Sequence, residues 1–187
     1  MVYPVALPRE YVMRACGVLG RRRDSVGAPH PCCPKGGDMS EDHKARIREF
    51  MDRVLTAGEI NVTDDYFHSD MVEEVPFPGQ GPGLEGLKET LTHLRRAFPD
   101  SHWRVEEQMA EDNRVLTRFL WSGTHQGEFL GIPATNRAIR VWGMVIDRFE
   151  GRKVKSTRIL LDTWSLMQQL GVVPAAPEAG ATPHAAR

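Results

Sequence analysis

Apolar residues recur at helical spacing in two stretches of the chain. The first stretch follows Ser40, a residue type that caps helix N-termini, and ends near Gly58. The second covers residues 84–98 and stops before Pro99. Their one-sided apolar stripes are Ile47, Phe50, Met51, Val54 and Leu55 in the first, and Leu87, Leu91, Leu94 and Phe98 in the second. Both patterns predict amphipathic helices. Between them, residues 60–70 predict a short helix or turn, and "VPFPGQGPG" predicts a loop.

The pattern changes to a period of two after Pro99, which indicates strands. Residues 101–111 alternate, and in residues 114–124 Val115, Thr117, Phe119 and Trp121 share one face. Residues 137–150 form a long predicted strand, and a turn at Gly151 leads to a last strand over residues 153–162. The inward candidates of that last strand, all of one parity, are Ser156, Arg158, Leu160 and Asp162. A final helix ends at Gly171, so helices followed by an antiparallel sheet predict an α+β fold.

Composition separates a central domain from two ends. Residues 1–38 are rich in Pro, Gly and Arg and lack periodicity, and residues 175–187 are of low complexity. We therefore predict a disordered N-terminal extension, a domain over residues 39–174 and a disordered C-terminal tail. All three cysteines lie in the N-terminal extension, so no disulfide frames the domain. This distribution favours a reducing cytoplasm, and we expect the adjacent Cys32 and Cys33 to form no metal site.

The balance of charge argues against two classes of partner. The formal net charge is -1, from 24 Lys and Arg against 25 Asp and Glu. The chain has no basic excess that would attract nucleic acid or an anionic membrane surface. It also has no apolar run of the roughly 18 residues that a membrane helix needs. We therefore predict no nucleic acid and no membrane among its partners.

One carboxylate lies at the junction between the last predicted strand and the last predicted helix. Asp162 directly follows the run Ile159 to Leu161 and precedes the helical pattern "TWSLMQQLG". An ionised carboxylate in a medium of low dielectric constant is costly unless it is paired or hydrogen-bonded. Two interpretations remain open. Asp162 caps the last helix, or it acts as a catalytic acid or base.

Two segments carry a resemblance to a known family. "SGTHQGEFLGIPATNR" and "DTWSLMQQLG", within residues 40–173, resemble the SnoaL-like polyketide cyclases (ester cyclases) of the nuclear-transport-factor-type cone superfamily. The resemblance implies a curved sheet packed on helices around an internal apolar cavity. It also implies intramolecular aldol ring closure of a small hydrophobic or aromatic substrate, without metal or organic cofactor. The buried Asp proposed to move the proton in that family falls on Asp162.

The chain departs from the family at several positions. Thr157 and Arg158 stand where the family usually has a His and a Trp, and Val145 stands at a mid-strand position that is commonly polar. Glu73 to Val75 replace a polar run near the first loop. Beside Asp162, the substrate-binding candidates are Arg158, His125, Trp121 and Leu160. For His125 a turn-stabilising role is the main alternative, and Trp121 also suits plain core.

Two other functions and one assembly fit the same pattern. An epoxide-hydrolase-like enzyme would use Asp162 and Arg158 with a second carboxylate from Glu73, Glu74 or Asp147. A non-enzymatic module for small-molecule binding or dimerisation would need no catalytic group. If Val141, Gly143 and Val145 point inward, the alternate residues of that strand form an exposed apolar row: Trp142, Met144 and Ile146. Such a row predicts a homodimer.

The domain boundaries give the first testable prediction. A protein trimmed to residues 39–174 should unfold cooperatively at a temperature close to that of the full chain, because the removed ends lack a pattern that buries apolar surface. Differential scanning calorimetry of both proteins measures this. A melting temperature many degrees lower in the trimmed protein would show that an end packs on the domain.

Overall fold

Three α-helices, a π-helix (Met51–Thr56), a 3-10 helix (Ile60–Asp65) and one five-stranded sheet are the regular elements of residues 37–174. A computed structural model describes residues 37–174, so the predictions for residues 1–36 and 175–187 lie outside the described residues. The helices are α1 (Gly37–Phe50), α2 (Gly83–Ala97) and α3 (Thr163–Leu170). The strands are β1 (Phe67–Glu73), β2 (His102–Glu111), β3 (Arg114–Thr124), β4 (Ala138–Glu150) and β5 (Lys153–Leu161). The α+β prediction is confirmed.

The two predicted helical stripes face the core. α1 continues as a π-helical segment over Met51–Thr56, and this whole run buries Ile47, Met51 and Val54 to 3% exposure or less. In α2, Leu91 and Leu94 are buried, and Phe98 at its C-cap is fully buried. α1 begins at Gly37, before Ser40, so the prediction that Ser40 starts the helix is wrong. None of the helices within residues 37–174 has the length and apolar character needed to cross a membrane.

The strand order is β1-β5-β4-β3-β2, and the sheet is mixed. The pairs β2–β3, β3–β4 and β4–β5 are antiparallel, as predicted. β1 pairs with β5 in parallel. The sequence did not predict β1, because the row that contains its buried residues is interrupted: Phe67 and Met71 are buried, whereas Ser69 between them is exposed. Its buried residues Phe67 and Met71 are four positions apart, a spacing that also occurs in a helix.

A β-bulge in β5 reverses the predicted parity of that strand. Arg148 pairs with Ser156 and Phe149 pairs with Val154, so Lys155 is an extra residue on β5. Val154 is buried on one side of the bulge, and Thr157 is buried on the other. The prediction that Arg158 and Leu160 point inward is therefore wrong. Leu160 is 62% exposed, and Arg158 is exposed as well.

The central strands follow the predicted parity. Val115, Thr117, Phe119 and Trp121 of β3 are all buried, which confirms their shared inner face. On β4, Val141 and Val145 are buried whereas Trp142 is 44% and Ile146 is 39% exposed. The outer row of β4 thus faces away from the helices, as predicted.

Gly143 makes room for an aromatic ring on the inner face. It lies opposite Phe119 in the β3–β4 register. A Cβ atom at Gly143 would lie 2.6 Å from Cζ of Phe119 and 3.0 Å from the carbonyl oxygen of Leu160. The missing side chain therefore lets the Phe119 ring extend across β4, where it forms part of the cavity described below.

We predict that Gly143→Ala destabilises the domain. The added methyl group has to displace the Phe119 ring or shift β5, and overpacking of this kind costs about 1–3 kcal/mol. Gly81→Ala is the matched control, because a Cβ there meets its nearest atom at an ordinary 3.5 Å. Urea unfolding monitored by fluorescence measures both variants. Equal stability of the two variants would show that the ring adapts without cost.

Candidate functional site

A cavity of about 530 Å³ lies between the inner face of the sheet and the helices. Its walls are mainly apolar and include residues of α1, α2, β1, β3, β4 and β5, and the loop residues 77–81 border it. The charged or titratable side chains among its lining residues are Glu73, Glu89, His93, Arg96, Glu128 and Asp147. Sites for small ligands commonly have this size and character, with a few polar groups in an apolar enclosure.

An aromatic wall bounds one side of the cavity. The Trp103 and Trp121 rings stack with centroids 5.2 Å apart, and Phe119 lies 5.0 Å from Trp103. Both indole N–H groups donate to the hydroxyl oxygen of Ser101, at 3.0 and 2.8 Å. These hydrogen bonds satisfy the buried donors and fix the orientation of both rings. Trp121 thus lines the cavity, and its role in substrate binding stays a prediction.

Asp147 is a carboxylic acid in the apolar interior. It lies on the inner face of β4, lines the cavity and is 3% exposed. Loss of hydration raises the pKa of Asp147 to about 7, because burial penalises the charged form. A hydrogen bond from the Thr157 hydroxyl acts in the opposite direction on this pKa, since it stabilises the carboxylate. Asp147 can therefore exchange a proton near neutral pH.

Glu73 is the second carboxyl group of the cavity. It ends β1, and burial again raises its pKa to about 7. The charges of Asp147 and Glu74 add to this rise, and backbone groups of Val75 and Ile159 oppose it. Its Oε1 atom is buried and has no hydrogen-bond partner. A buried acceptor without a donor is a costly arrangement that a bound ligand can relieve.

Glu73, Thr157 and Asp147 form one transverse row across three adjacent strands. Glu73 pairs with Thr157 between β1 and β5, and Thr157 pairs with Asp147 between β5 and β4. All three side chains line the cavity. Because neighbouring strands lie about 4.8 Å apart, the two carboxyl-bearing backbone positions are about 10 Å apart, with the threonine between them.

Asp162 lies outside this row. It is the N-cap of α3, where its carboxylate accepts a hydrogen bond of 3.0 Å from the backbone N–H of Ser165. Its side chain is half-buried, and Asp162 is not among the residues that line the cavity. The helix-cap interpretation therefore has a direct structural basis. The predicted role of Asp162 as the catalytic group stays a prediction.

Arg158 and Leu160 lie on the face of β5 that points away from the cavity. Arg158 pairs with Glu74, and its Nε atom donates to Oε2 of Glu74 at 2.8 Å. The parity reversal at Lys155 explains why neither residue is part of the cavity wall.

His125 stabilises a turn. It is completely buried, and its ring stacks on Phe98 with centroids 5.1 Å apart. Its Nδ1 atom accepts from the backbone N–H of Thr135 at 3.3 Å, which fixes the loop after β3. Burial lowers the pKa of His125, so the neutral imidazole is favoured. His125 is not among the residues lining the cavity.

Sequence reasoning named Asp147 and Glu73 only as possible second carboxylates. For Asp147 a usable signal was present, since it has the same parity as Val141, Gly143 and Val145. The family resemblance implies a polar residue at the position of Val145. Asp147 supplies an inward polar group on the same strand, two residues farther along. For Glu73 the chain gave no such signal, because β1 itself was not predicted. Within residues 37–174, no group of three or more His, Cys, Asp or Glu side chains is arranged to hold a metal ion.

Comparisons with known proteins agree on the fold. The family model of the SnoaL-like polyketide cyclases matches residues 45–170. The structure of TsrD from Streptomyces laurentii is 22% identical, with a TM-score of 0.66, and the match covers 71% of this chain and 97% of that chain. A SnoaL-like polyketide cyclase from Agrobacterium tumefaciens is 19% identical, with a TM-score of 0.59, over 69% of this chain and 98% of that chain. IdmH from Streptomyces antibioticus is 21% identical, with a TM-score of 0.61, over 69% and 98%. Curated protein sequences gave no significant match.

The raised pKa of Asp147 predicts a pH-dependent stability. Between about pH 4, where an ordinary Asp titrates, and the folded-state value of about 7, the folded chain keeps a proton that the unfolded chain releases. Stability therefore falls as pH rises through this window. Each pKa unit corresponds to about 1.4 kcal/mol, so the loss is at most about 4 kcal/mol.

We predict that Asp147→Asn flattens this dependence. The melting temperature of the variant, relative to the parent protein, should rise progressively between about pH 4 and pH 7, because the amide never becomes charged. Asp52→Asn, which removes an exposed charge, is the control. Thermal unfolding at several pH values measures the three proteins. Parallel curves for Asp147→Asn and the parent protein would contradict the raised pKa.

Proposed function

Because this chain belongs to the SnoaL-like polyketide cyclase family, we propose that it closes a ring in a polyketide-like substrate by a cofactor-free intramolecular aldol reaction. The observation that carries the proposal is Asp147, a carboxyl group without a cationic partner on the wall of an apolar cavity. Such a group is a stronger base than an exposed carboxylate, since its charged form is poorly solvated.

The proposed reaction needs one proton acceptor and one proton donor. The Asp147 carboxylate takes a proton from a carbon between two carbonyl groups, and the resulting enolate carbon attacks a ketone carbon of the same molecule. A carbon–carbon bond forms, and the carbonyl electron pair moves to oxygen. That alkoxide then takes up a proton, so the product is a ring alcohol with the same atoms as the substrate. Water exclusion by the apolar walls protects the enolate from premature protonation.

The cavity supports a small hydrophobic or aromatic substrate. Its volume of about 530 Å³ lies within the range of sites for small molecules, and Trp103, Phe119 and Trp121 offer flat surfaces to an aromatic or enolised ring. Arg96, His93 and Glu89 line the cavity from exposed positions on α2, where they would meet the polar end of a substrate.

Two other functions remain to be separated from this one. An epoxide-hydrolase-like reaction gains support from the two carboxyl groups in the cavity, Glu73 and Asp147. The arginine it also requires would have to be Arg96, which is exposed, since Arg158 is paired with Glu74. A non-enzymatic small-molecule-binding module is favoured by Asp162 serving as a helix cap, and the open cavity fits it as well. We also propose a cytoplasmic location, because Cys16, Cys32 and Cys33 lie outside the domain.

Variants at the two aspartates test which one moves the proton. A β-keto ester with an aromatic ring, ethyl benzoylacetate, serves as the probe, and NMR follows deuterium uptake at its acidic carbon. We predict that Asp147→Asn slows the catalysed exchange roughly 10²–10⁴-fold, as expected for loss of a general base. Asp162→Asn should retain exchange and stability, since Asn also caps helices, whereas Asp162→Ala should lose about 1 kcal/mol of stability.

The opposite pattern of exchange rates would identify Asp162 as the general base. Loss of exchange in Asp162→Asn with full exchange in Asp147→Asn would support the original prediction from sequence. Absence of exchange in the parent protein, together with hydrolysis of an aromatic epoxide such as styrene oxide, would favour the epoxide-hydrolase-like reaction. Binding of the probe without either reaction would favour the binding module.

The outer row of β4 predicts a homodimer. Trp142, Met144 and Ile146 expose apolar surface there, and Leu160 of β5 lies beside Met144 in register. We predict that sedimentation shows a dimer, and that replacing Trp142 and Ile146 together by Lys gives a folded monomer. Met39→Lys, at an exposed apolar residue of α1, is the control that should remain dimeric. A parent protein that sediments as a monomer at every concentration would contradict the prediction.

A further inference from the structure

We propose that Glu73 is a second catalytic residue, which donates a proton to the substrate oxygen while Asp147 removes a proton from carbon. The Thr157 hydroxyl then passes a proton from Asp147 back to Glu73. The proposal rests on the proposed function, in which Asp147 is the base, and adds to it a separate acid and a route for resetting the site. It assigns the three members of the transverse row to three different steps.

The geometry of the row brings both carboxyl groups to one ligand. Glu73, Thr157 and Asp147 occupy paired positions on β1, β5 and β4, and all three face the same cavity. With the backbone positions of Glu73 and Asp147 about 10 Å apart, side chains that extend toward each other leave room for a substrate carbonyl above Thr157. The threonine lies between the carboxyl groups, where a hydroxyl can accept from one and donate to the other.

The surroundings of the two carboxyl groups differ in a way that sets their roles. Thr157 donates a hydrogen bond to Asp147 and so favours the ionised form of that group. Glu73 has a buried Oε1 atom without a partner, and its neighbouring charges, Asp147 and Glu74, are both acidic. The shared proton is therefore best placed on Glu73. A protonated Glu73 can use its O–H to donate to a ligand that enters the cavity.

No cation compensates the pair from inside the row. Glu74 is paired with Arg158 on the outer side, so that arginine is occupied. The other titratable residues that line the cavity are Glu89, His93 and Arg96 from α2 and Glu128 from the loop after β3, and all four are exposed. A neutral ketone or ester oxygen fits this environment, whereas a carboxylate placed beside the row would be repelled by the Asp147 charge.

Proton transfer in the proposed cycle is balanced. Asp147 as carboxylate takes the carbon-bound proton and becomes a carboxylic acid, while Glu73 gives its proton to the new alkoxide and becomes a carboxylate. The Thr157 hydroxyl then donates its proton to Glu73 and accepts one from Asp147. The pair returns to its starting state with one proton in total, and no external donor is consumed.

A titration that needs no substrate tests the pair directly. In protein with carbon-13 at the Asp and Glu carboxyl groups, NMR should show separate titration steps for Asp147 and, at higher pH, Glu73. Removing the Asp147 charge by Asp147→Asn should lower the Glu73 midpoint by about one pH unit or more, the coupling expected of interacting carboxyl groups. Glu74→Gln removes the charge that is already paired with Arg158, so it should change the Glu73 midpoint much less.

Exchange kinetics with ethyl benzoylacetate test the assigned roles. Glu73→Gln should lower kcat roughly 10²-fold with little change in KM, and it should remove the alkaline decline of the pH–rate profile. Thr157→Val should slow exchange, because without the hydroxyl the proton that Asp147 takes from carbon cannot be passed on and returns to the same carbon. Thr157→Ser, which keeps the hydroxyl, should restore exchange. Glu74→Gln should retain the parent rate.

The outcomes separate this proposal from the proposed function. An unchanged Glu73 midpoint in Asp147→Asn would overturn the pair, whatever the protein does with the probe. Coupled titration without exchange in the parent protein would contradict the proposed function. It would also overturn the catalytic roles given to Glu73 and Thr157, and the proton-sharing pair would then be a feature of ligand binding. Full activity of Glu73→Gln with an unaltered pH profile would overturn the acid role alone.

Discussion

The structure depends on keeping a large apolar space open inside a small domain. Side chains around an empty cavity lose packing contacts, so the walls collapse unless other interactions hold them. Here the hydroxyl of Ser101 holds both Trp103 and Trp121 by their indole N–H groups, and Gly143 lets Phe119 lie across β4. These contacts fix the aromatic wall from behind, where a ligand does not reach, and the space in front of it stays open.

Burial beside this cavity raises the pKa of both carboxyl groups and also reduces the stability of the folded domain. Burial reduces the hydration of Asp147 and Glu73, so these groups keep protons to higher pH than exposed carboxyl groups do. A hydrogen bond from Thr157 is the only side-chain contribution that favours ionisation of Asp147 among those that shift its pKa. Proteins commonly accept reduced stability at sites where reactivity is needed. In this domain the two carboxyl groups whose pKa is raised to about 7 belong to one row of residues, whereas the alternating apolar pattern of β4 on either side is regular.

The sequence predicted the parts of the fold in which the pattern is local and regular. Apolar residues recur regularly over several turns in α1 and α2 and over several residues in β3 and β4. The buried face of each element could therefore be predicted from the sequence. β1 was missed because exposed Ser69 interrupts the row formed by Phe67 and Met71, and the predicted parity of β5 was wrong because Lys155 adds one residue to the strand. Asp162 stood out in the sequence because a charge next to an apolar run is unusual, yet a helix N-terminus satisfies such a charge locally. Asp147 shares the parity of Val141 and Val145, so its inward orientation could be predicted from the sequence. Its neighbour Thr157 could not be predicted, because the bulge in β5 decides which residue of that strand lies beside Asp147.

The bulge at Lys155 also bears on how the cavity can change over evolutionary time. Substitutions at Thr157 or Ile159 alter one lining position each, but loss of the single extra residue would exchange the two faces of β5 beyond it. Arg158 and Leu160 would then face the interior, and a cationic group would enter a space that holds two acids. A one-codon deletion in this strand is thus equivalent to several simultaneous point mutations. Short insertions and deletions in β5 offer a route by which one scaffold acquires a different selectivity without rebuilding its core.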